Sequence, residues 1–128
     1  MSDSPQPQVG AIGWVDLTVQ NADQVTSFYQ AVAGWTVQPV HMGGYDDYSM
    51  CPPETGIPVA GVCHKRGVNA QLPSVWMIYI TVDDLEASMQ RCLELGGKVL
   101  IEPNNMGPRS RYCVIEDPAG AVCALFAR

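Results

Sequence analysis

The sequence predicts an α+β protein built from two tandem βαβββ modules. Three observations point there. The first is an internal repeat. With Leu17 laid on Ile80, an offset of 63, Thr18 falls on Thr81, Val19 on Val82, Asn21 on Asp84, Asp23 on Glu86, Gly34 on Gly97 and Val37 on Leu100, without a gap. Only two copies at this long a spacing describe a small domain of two similar halves, not a solenoid. The second is that each copy opens on a strand-like stretch and passes into a helical stripe. The third is the punctuation: glycine, proline and aspartate clusters divide the rest of each copy into three short strand-like runs.

The first module begins with Ala11 to Val19, where Trp14, Asp16 and Thr18 alternate with Val15, Leu17 and Val19. Side chains alternate across a strand, so one face is aliphatic and suits packing under a helix. The other face carries an indole, a carboxylate and a hydroxyl, an unusual set for either solvent or core. A helix follows, with Asn21 at its N-cap and Asp23 in the first turn, where the helix dipole favours an anion. Val25, Phe28, Tyr29 and Val32 form its apolar stripe, and Gly34 ends it as a left-handed C-cap residue. Trp35 to Val40 reads as a strand, Met42 to Asp47 as a turn, and Tyr48 to Cys51 as a short strand. Pro52 to Pro58 reads as a rigid loop, and Val59 to His64 as the last strand of the module. Lys65 to Ser74 has no periodicity and links the halves; its shortness suggests that they share one core.

The second module repeats the order. Trp76 to Val82 is a strand, Asp83 or Asp84 caps a helix over Leu85 to Leu95, and Gly96-Gly97 ends it. Lys98 to Glu102 is a strand, Pro103 to Ser110 a loop, and Arg111 to Glu116 a strand. Asp117-Pro118-Ala119-Gly120 suits a tight turn, because proline presets φ and glycine accepts positive φ. Ala121 to Phe126 closes the chain. The expected organisation is a disordered polar tail over residues 1–9 and a single domain over 10–128, divided into modules at 10–66 and 74–128.

Composition narrows the function. With 128 residues, 47% hydrophobic and 16% charged, the chain reads as one globular domain with a proper core. A net charge of −6 and the lack of a basic stripe argue against nucleic acid. No apolar run is long enough to span a bilayer, and the start has no secretion-signal pattern, so a cytoplasmic location is expected and no membrane partner. The five cysteines, Cys51, Cys63, Cys92, Cys113 and Cys123, contain no CxxC pair and read as reduced core or near-core thiols, with a reactive thiol as the alternative. His41 and His64 are the only histidines. Neither has a ligand-spaced partner, so both read as surface or hydrogen-bonded residues.

These residues resemble the vicinal oxygen chelate superfamily, which includes glyoxalase I, extradiol dioxygenases and bleomycin-resistance proteins. The resemblance rests on Trp14-x-Asp16-Leu17-Thr18-Val19, Phe28-Tyr29, Gly34-Trp35, Val82-Asp83-Asp84-Leu85, Leu95-Gly96-Gly97-Lys98-Val99 and Asp117-Pro118-x-Gly120. It implies a curved, funnel-shaped sheet with the helices outside. It also implies, for the enzymes of the family, a metal ligand on the first and last strand of each module. Those positions carry over to Trp14, Met77 and Ala124, with the fourth near Gly61. An indole, a thioether, a methyl group and a glycine are not ligands for zinc, magnesium or manganese. The expectation is therefore a member without a metal and without a cofactor.

If Trp14 points inward, so do Asp16 and Thr18, and by the same offset Met77, Tyr79 and Thr81. Two readings stand. In one, the funnel is a ligand site lined by Trp14, Asp16, Met77, Tyr79 and Ala124, with Tyr45 and Tyr48 at its rim. In the other, Trp14, Met77 and Ala124 plug the space that a metal has left. Asp16 also has two readings: a structural acceptor from a backbone N–H or from Tyr79, or the contact for a cationic ligand, or general base, of the site. Trp35 and Trp76 read as packing residues, and Arg109 and Arg111, which flank the last loop, as solvated, with contact to an anionic ligand as the alternative. The resulting expectation is a small-molecule binder for a partly aromatic, cationic ligand held between the two modules. The alternative is a diverged glyoxalase-like lyase or isomerase using Asp16 as base, and a third reading is an interaction domain with a filled funnel. Relatives often dimerise, and a homodimer is expected.

Overall fold

The computed structural model describes residues 8–105 and 110–127. The expected tail lies largely outside the described residues, as do Arg109 and most of the loop before Arg111. The elements run β1 (Ile12–Val19), α1 (Ala22–Ala33), β2 (Thr36–His41), β3 (Asp46–Cys51), β4 (Ala60–His64), β5 (Trp76–Thr81), α2 (Leu85–Glu94), β6 (Lys98–Asn105), β7 (Arg111–Glu116) and β8 (Val122–Ala127). This is βαβββ twice, an α+β fold. The chain divides into two compact units, one holding Trp14–Trp76 and the other Met77 onward together with the residues before Trp14. The first few residues of β1 thus go with the second module. The reason is local: Gly10 N donates to Thr81 O and Thr81 N to Ala11 O, each at 2.8 Å.

In the first module the strand order is β2-β3-β4-β1. β1 and β4 run parallel, with Asp16 opposite Gly61 and Thr18 opposite Cys63, while β2–β3 and β3–β4 are antiparallel. The aliphatic face of β1 packs as its alternation predicts: Leu17, Val19, Ala22, Met50, Ala60 and Val62 form the core. The helix meets that core along a different line from the one its stripe suggests. Ala22 and Thr26 are its buried residues, Val25 and Tyr29 pack beside them, and Phe28 and Val32 stay exposed. Residues 22, 25, 26 and 29 follow the same helical spacing one step earlier, and small Ala22 lets the helix approach the sheet closely. Tyr29, Trp35 and Trp76 pack against that core as an aromatic cluster, with Trp76 edge-on to both of the others, Tyr29 tilted against Trp35, and Trp76 Nε1 donating to Tyr29 Oη at 3.1 Å.

In the second module the order is β5-β8-β7-β6. Leu85, Cys113 and Leu125 centre its core, backed by Ile80, Val82, Met89 and Ile115. Asp84 caps α2 by accepting from Ala87 N at 3.0 Å, whereas Asn21 makes no side-chain cap bond to α1. Gly34 adopts φ +78 at the C-cap of α1, as expected. β6 runs three residues past the predicted end, through Pro103. It does so with register shifts against β7, and it is an edge strand, where a residue lacking an N–H is tolerated. The link between modules contains a short 3-10 turn at Gly67–Asn69, and Leu72 within it is buried.

Candidate functional site

The unusual face of β1 is where the first module carries its chemistry. Alternation places Trp14, Asp16 and Thr18 together, and the parallel register with β4 sets Gly61 and Cys63 beside them. Trp14 Nε1 donates to Asp16 Oδ1 at 2.5 Å. That is a short, charge-assisted bond between neighbours on one face. The carboxylate lies over Gly61, where a Cβ would stand 2.3 Å from Asp16 Oδ1 and 3.5 Å from Trp14 Cζ2. Trp14 and Asp16 are both half-buried, so the pair is partly dried yet reachable. The acceptor role expected for Asp16 is thus filled at least in part by an indole on its own strand.

Cys63 stands on the same face. Burial pushes its thiol well above the ordinary cysteine range, and the carboxylates of Asp16 and Asp47 push the same way. Cys113 is raised by burial to about 11 and Cys123 is raised by burial. A nucleophilic thiolate needs the opposite environment, so these three behave as thiols of the interior. All five cysteines are unpaired.

Tyr48 is not brought to this face. In register it sits opposite Val62, on the helix side, where it packs against the core and donates from its hydroxyl to Asp23 Oδ1. That hydrogen bond comes first, then burial and the charges of Asp23, Asp46 and Asp47, in raising its phenol to about 12. His64 shares this side. Its backbone N donates to Asp47 Oδ1 at 2.9 Å, its Nδ1 lies 3.3 Å from the same oxygen, and its Nε2 lies 3.8 Å from Asp23. Tyr45 packs edge-on to His64 and carries the Arg66 guanidinium 3.8 Å above its ring. The cluster ties the first turn of α1 to β3 and β4. Sequence reading missed it because its members come from four separate segments. His41, in contrast, is exposed and paired with Asp46 at 2.7 Å.

In the second module Tyr79 lies opposite Ala124 across the parallel β5–β8 pair, and Met77 and Thr81 share its side of β5. These residues are closed to solvent: Met77 is 3% exposed, Tyr79 6%, Ala124 0% and Thr81 1%. The Tyr79 ring stands 6.0 Å from that of Tyr112. The Thr81 hydroxyl is buried with no hydrogen-bond partner among the described residues.

The family model of the Glyoxalase/Bleomycin resistance protein/Dioxygenase superfamily matches residues 11–125. The chain belongs to that superfamily. Within it, this protein is 33% identical over 130 aligned residues to the anthracycline biosynthesis protein DnrV of Streptomyces peucetius, covering 93% of this chain and 47% of the relative. It is 28% identical over 119 residues to a Mycobacterium bovis protein named "Putative glyoxylase CFP32", covering 93% of this chain and 44% of that one. The chain therefore spans under half the length of either relative. Among solved structures it superposes on methylmalonyl-CoA epimerase from Streptomyces coelicolor with a TM-score of 0.58 at 17% identity, covering 94% of this chain and 98% of the epimerase. The Mycobacterium tuberculosis methylmalonyl-CoA epimerase gives 0.55 at 18% identity, covering 97% and 91%. At such identities these matches establish the fold alone.

The metal that the superfamily's enzymes imply does not fit the residues present. Trp14, Gly61, Met77 and Ala124 supply no donor suited to a hard divalent ion. The space above Gly61 is taken by the Asp16 carboxylate. Among the described residues no group of three or more His, Cys, Asp or Glu is placed to hold an ion.

Proposed function

We propose that this superfamily member is a metal-free binding protein for a small, partly aromatic molecule that carries a basic group. Its ligand-contacting surface is the Trp14–Asp16 face of the first module. The observation that carries this reading is the half-buried indole–carboxylate pair seated on Gly61. An indole offers a stacking surface and attracts cations to its ring face. A carboxylate offers about four acceptor sites, so bonding Trp14 is compatible with accepting from a ligand as well. A mostly apolar wall with one placed charge is the usual make-up of a small-molecule site. The relative named for anthracycline biosynthesis adds support, because an anthracycline is a fused aromatic system with a basic amino sugar. Met77, Tyr79 and Ala124 enter the proposal as buried residues that set the shape of the second module. A homodimer in the cytoplasm completes it. Among the described residues no helix is long and apolar enough to cross a membrane.

The test is a tryptophan-fluorescence titration with an anthracycline bearing its amino sugar, repeated in EDTA, with sedimentation to read the oligomeric state. Saturable quenching that is unaffected by chelator and lost in Trp14→Ala is expected. Stoichiometric tightly bound metal in the purified protein, or conversion of the added compound that stops in Asp16→Asn, would replace this reading with the lyase or isomerase one.

A further inference from the structure

We infer that Gly61 is the specificity-determining position of this site. Its missing side chain is what lets the Asp16 carboxylate lie on the sheet beside Trp14, and so what gives the site its preference for a cationic ligand. The inference rests on the ligand-binding role proposed for Asp16.

Three observations converge. The parallel β1–β4 register sets Asp16 directly opposite Gly61. A Cβ at residue 61 would come within 2.3 Å of Asp16 Oδ1 and 3.4 Å of its Cγ, and no real pair of atoms tolerates the first of these. Asp16 Oδ1 is the same atom that accepts from the Trp14 indole. Any side chain at 61 therefore has to evict the acceptor of that bond. The backbone gives no competing reason for glycine here, because Gly61 is not among the glycines with positive φ. It is also buried within β4, a place where glycine weakens a strand and usually marks a close approach by something else. Here the approaching group is a carboxylate. Cys63 stands two residues along the same face, where burial first, and then the charge of Asp16, hold its thiol up.

A single substitution should thus switch the site. With alanine at 61 the carboxylate rotates off the sheet, the indole loses its acceptor, and the surface that remains is aromatic without an aligned charge. Aromatic ligands would still stack, while the advantage of a basic group would disappear.

The experiment compares wild type, Gly61→Ala and Asp16→Asn with two probes: an anthracycline carrying its amino sugar, and the matching aglycone, which lacks the amine. Wild type should prefer the amine by about tenfold, the scale of one charge-assisted contact. In Gly61→Ala the preference should collapse while aglycone affinity is held. Retention of the preference in Gly61→Ala, alongside its loss in Asp16→Asn, would overturn the inference and leave the binding reading intact. Cys63 alkylation, mapped by mass spectrometry, is independent of any ligand. It should speed up in both Gly61→Ala and Asp16→Asn, and a rate that rises in Asp16→Asn but is unchanged in Gly61→Ala would sink the inference even if neither probe binds. Should Gly61→Ala fail to fold, Asp16→Ala/Gly61→Ala decides. It should fold as well as Asp16→Ala alone, because the clashing carboxylate is gone; a second, additive loss would refute the contact.

Discussion

Removing the donor of the Trp14–Asp16 bond, its charge, or both gives a closed test of the site. Trp14→Phe keeps a ring but deletes the Nε1–H that reaches Asp16 at 2.5 Å. Hydrogen bonds to a charged group contribute about 1.5–3 kcal/mol. The pair is half-buried, so solvent screening places it near the lower end, at about 1.5 kcal/mol. Asp16→Asn leaves an acceptor oxygen and roughly half of the bond strength, a loss of about 0.7 kcal/mol. Once the indole N–H is gone, neutralising Asp16 no longer weakens this bond, and its effect on any other partner of Asp16 is common to both arms. The double variant should therefore fall short of additivity by about 0.7 kcal/mol. The lost ring volume of Trp14→Phe appears in both arms of the cycle and cancels. Urea unfolding followed by far-ultraviolet circular dichroism measures each corner, and a Tm change of about 3–5 °C per kcal/mol for a domain of this size provides a check. Additivity within about 0.3 kcal/mol would refute a bond of this strength and with it the geometry on which the site depends.

Other consequences are as direct. At Gly97 a Cβ would meet Cys92 Sγ at 2.5 Å and two backbone oxygens, Glu116 O at 2.9 Å and Cys92 O at 3.2 Å; since backbone cannot step aside, Gly97→Ala should cost about 3 kcal/mol by chemical denaturation. Gly96→Ala, in open space at φ +96, carries only the left-handed penalty of about 1–2 kcal/mol, and the reverse order would be a contradiction. The Tyr48 phenol, raised to about 12, lies above its ordinary value near 10. Its contribution to stability is therefore fully present below about pH 10 and is lost as pH climbs through 12. In absorbance titration Tyr48→Phe should remove one tyrosine that ionises late in wild type, and Asp23→Asn should bring the ionisation of Tyr48 to lower pH. Thr81→Val removes a buried hydroxyl that has no partner among the described residues and keeps its shape, so it should raise stability by about 1 kcal/mol; a clear loss in thermal unfolding would mean that the hydroxyl has work in the folded protein.

The doubling of the chain, the order of its elements and the aliphatic side of β1 were all legible in the sequence. The periods of 2 and 3.6 that write them are local properties of strands and helices. So was the absence of metal donors at Trp14, Gly61, Met77 and Ala124, which depends on residue type alone. Tertiary structure decided what periodicity leaves open. It chose Ala22, Val25, Thr26 and Tyr29 as the buried line of α1 over the larger Phe28 and Val32, because the approach distance of a helix to its sheet depends on the small residue at the contact. It moved Tyr48 to the helix side, because a turn of unknown length precedes β3 and a one-residue change in register exchanges the two faces of a strand. It also set Asp16 on Gly61, two residues 45 apart in sequence. Only the parallel pairing of β1 with β4 makes them neighbours, and no local pattern encodes the register of a long-range pair.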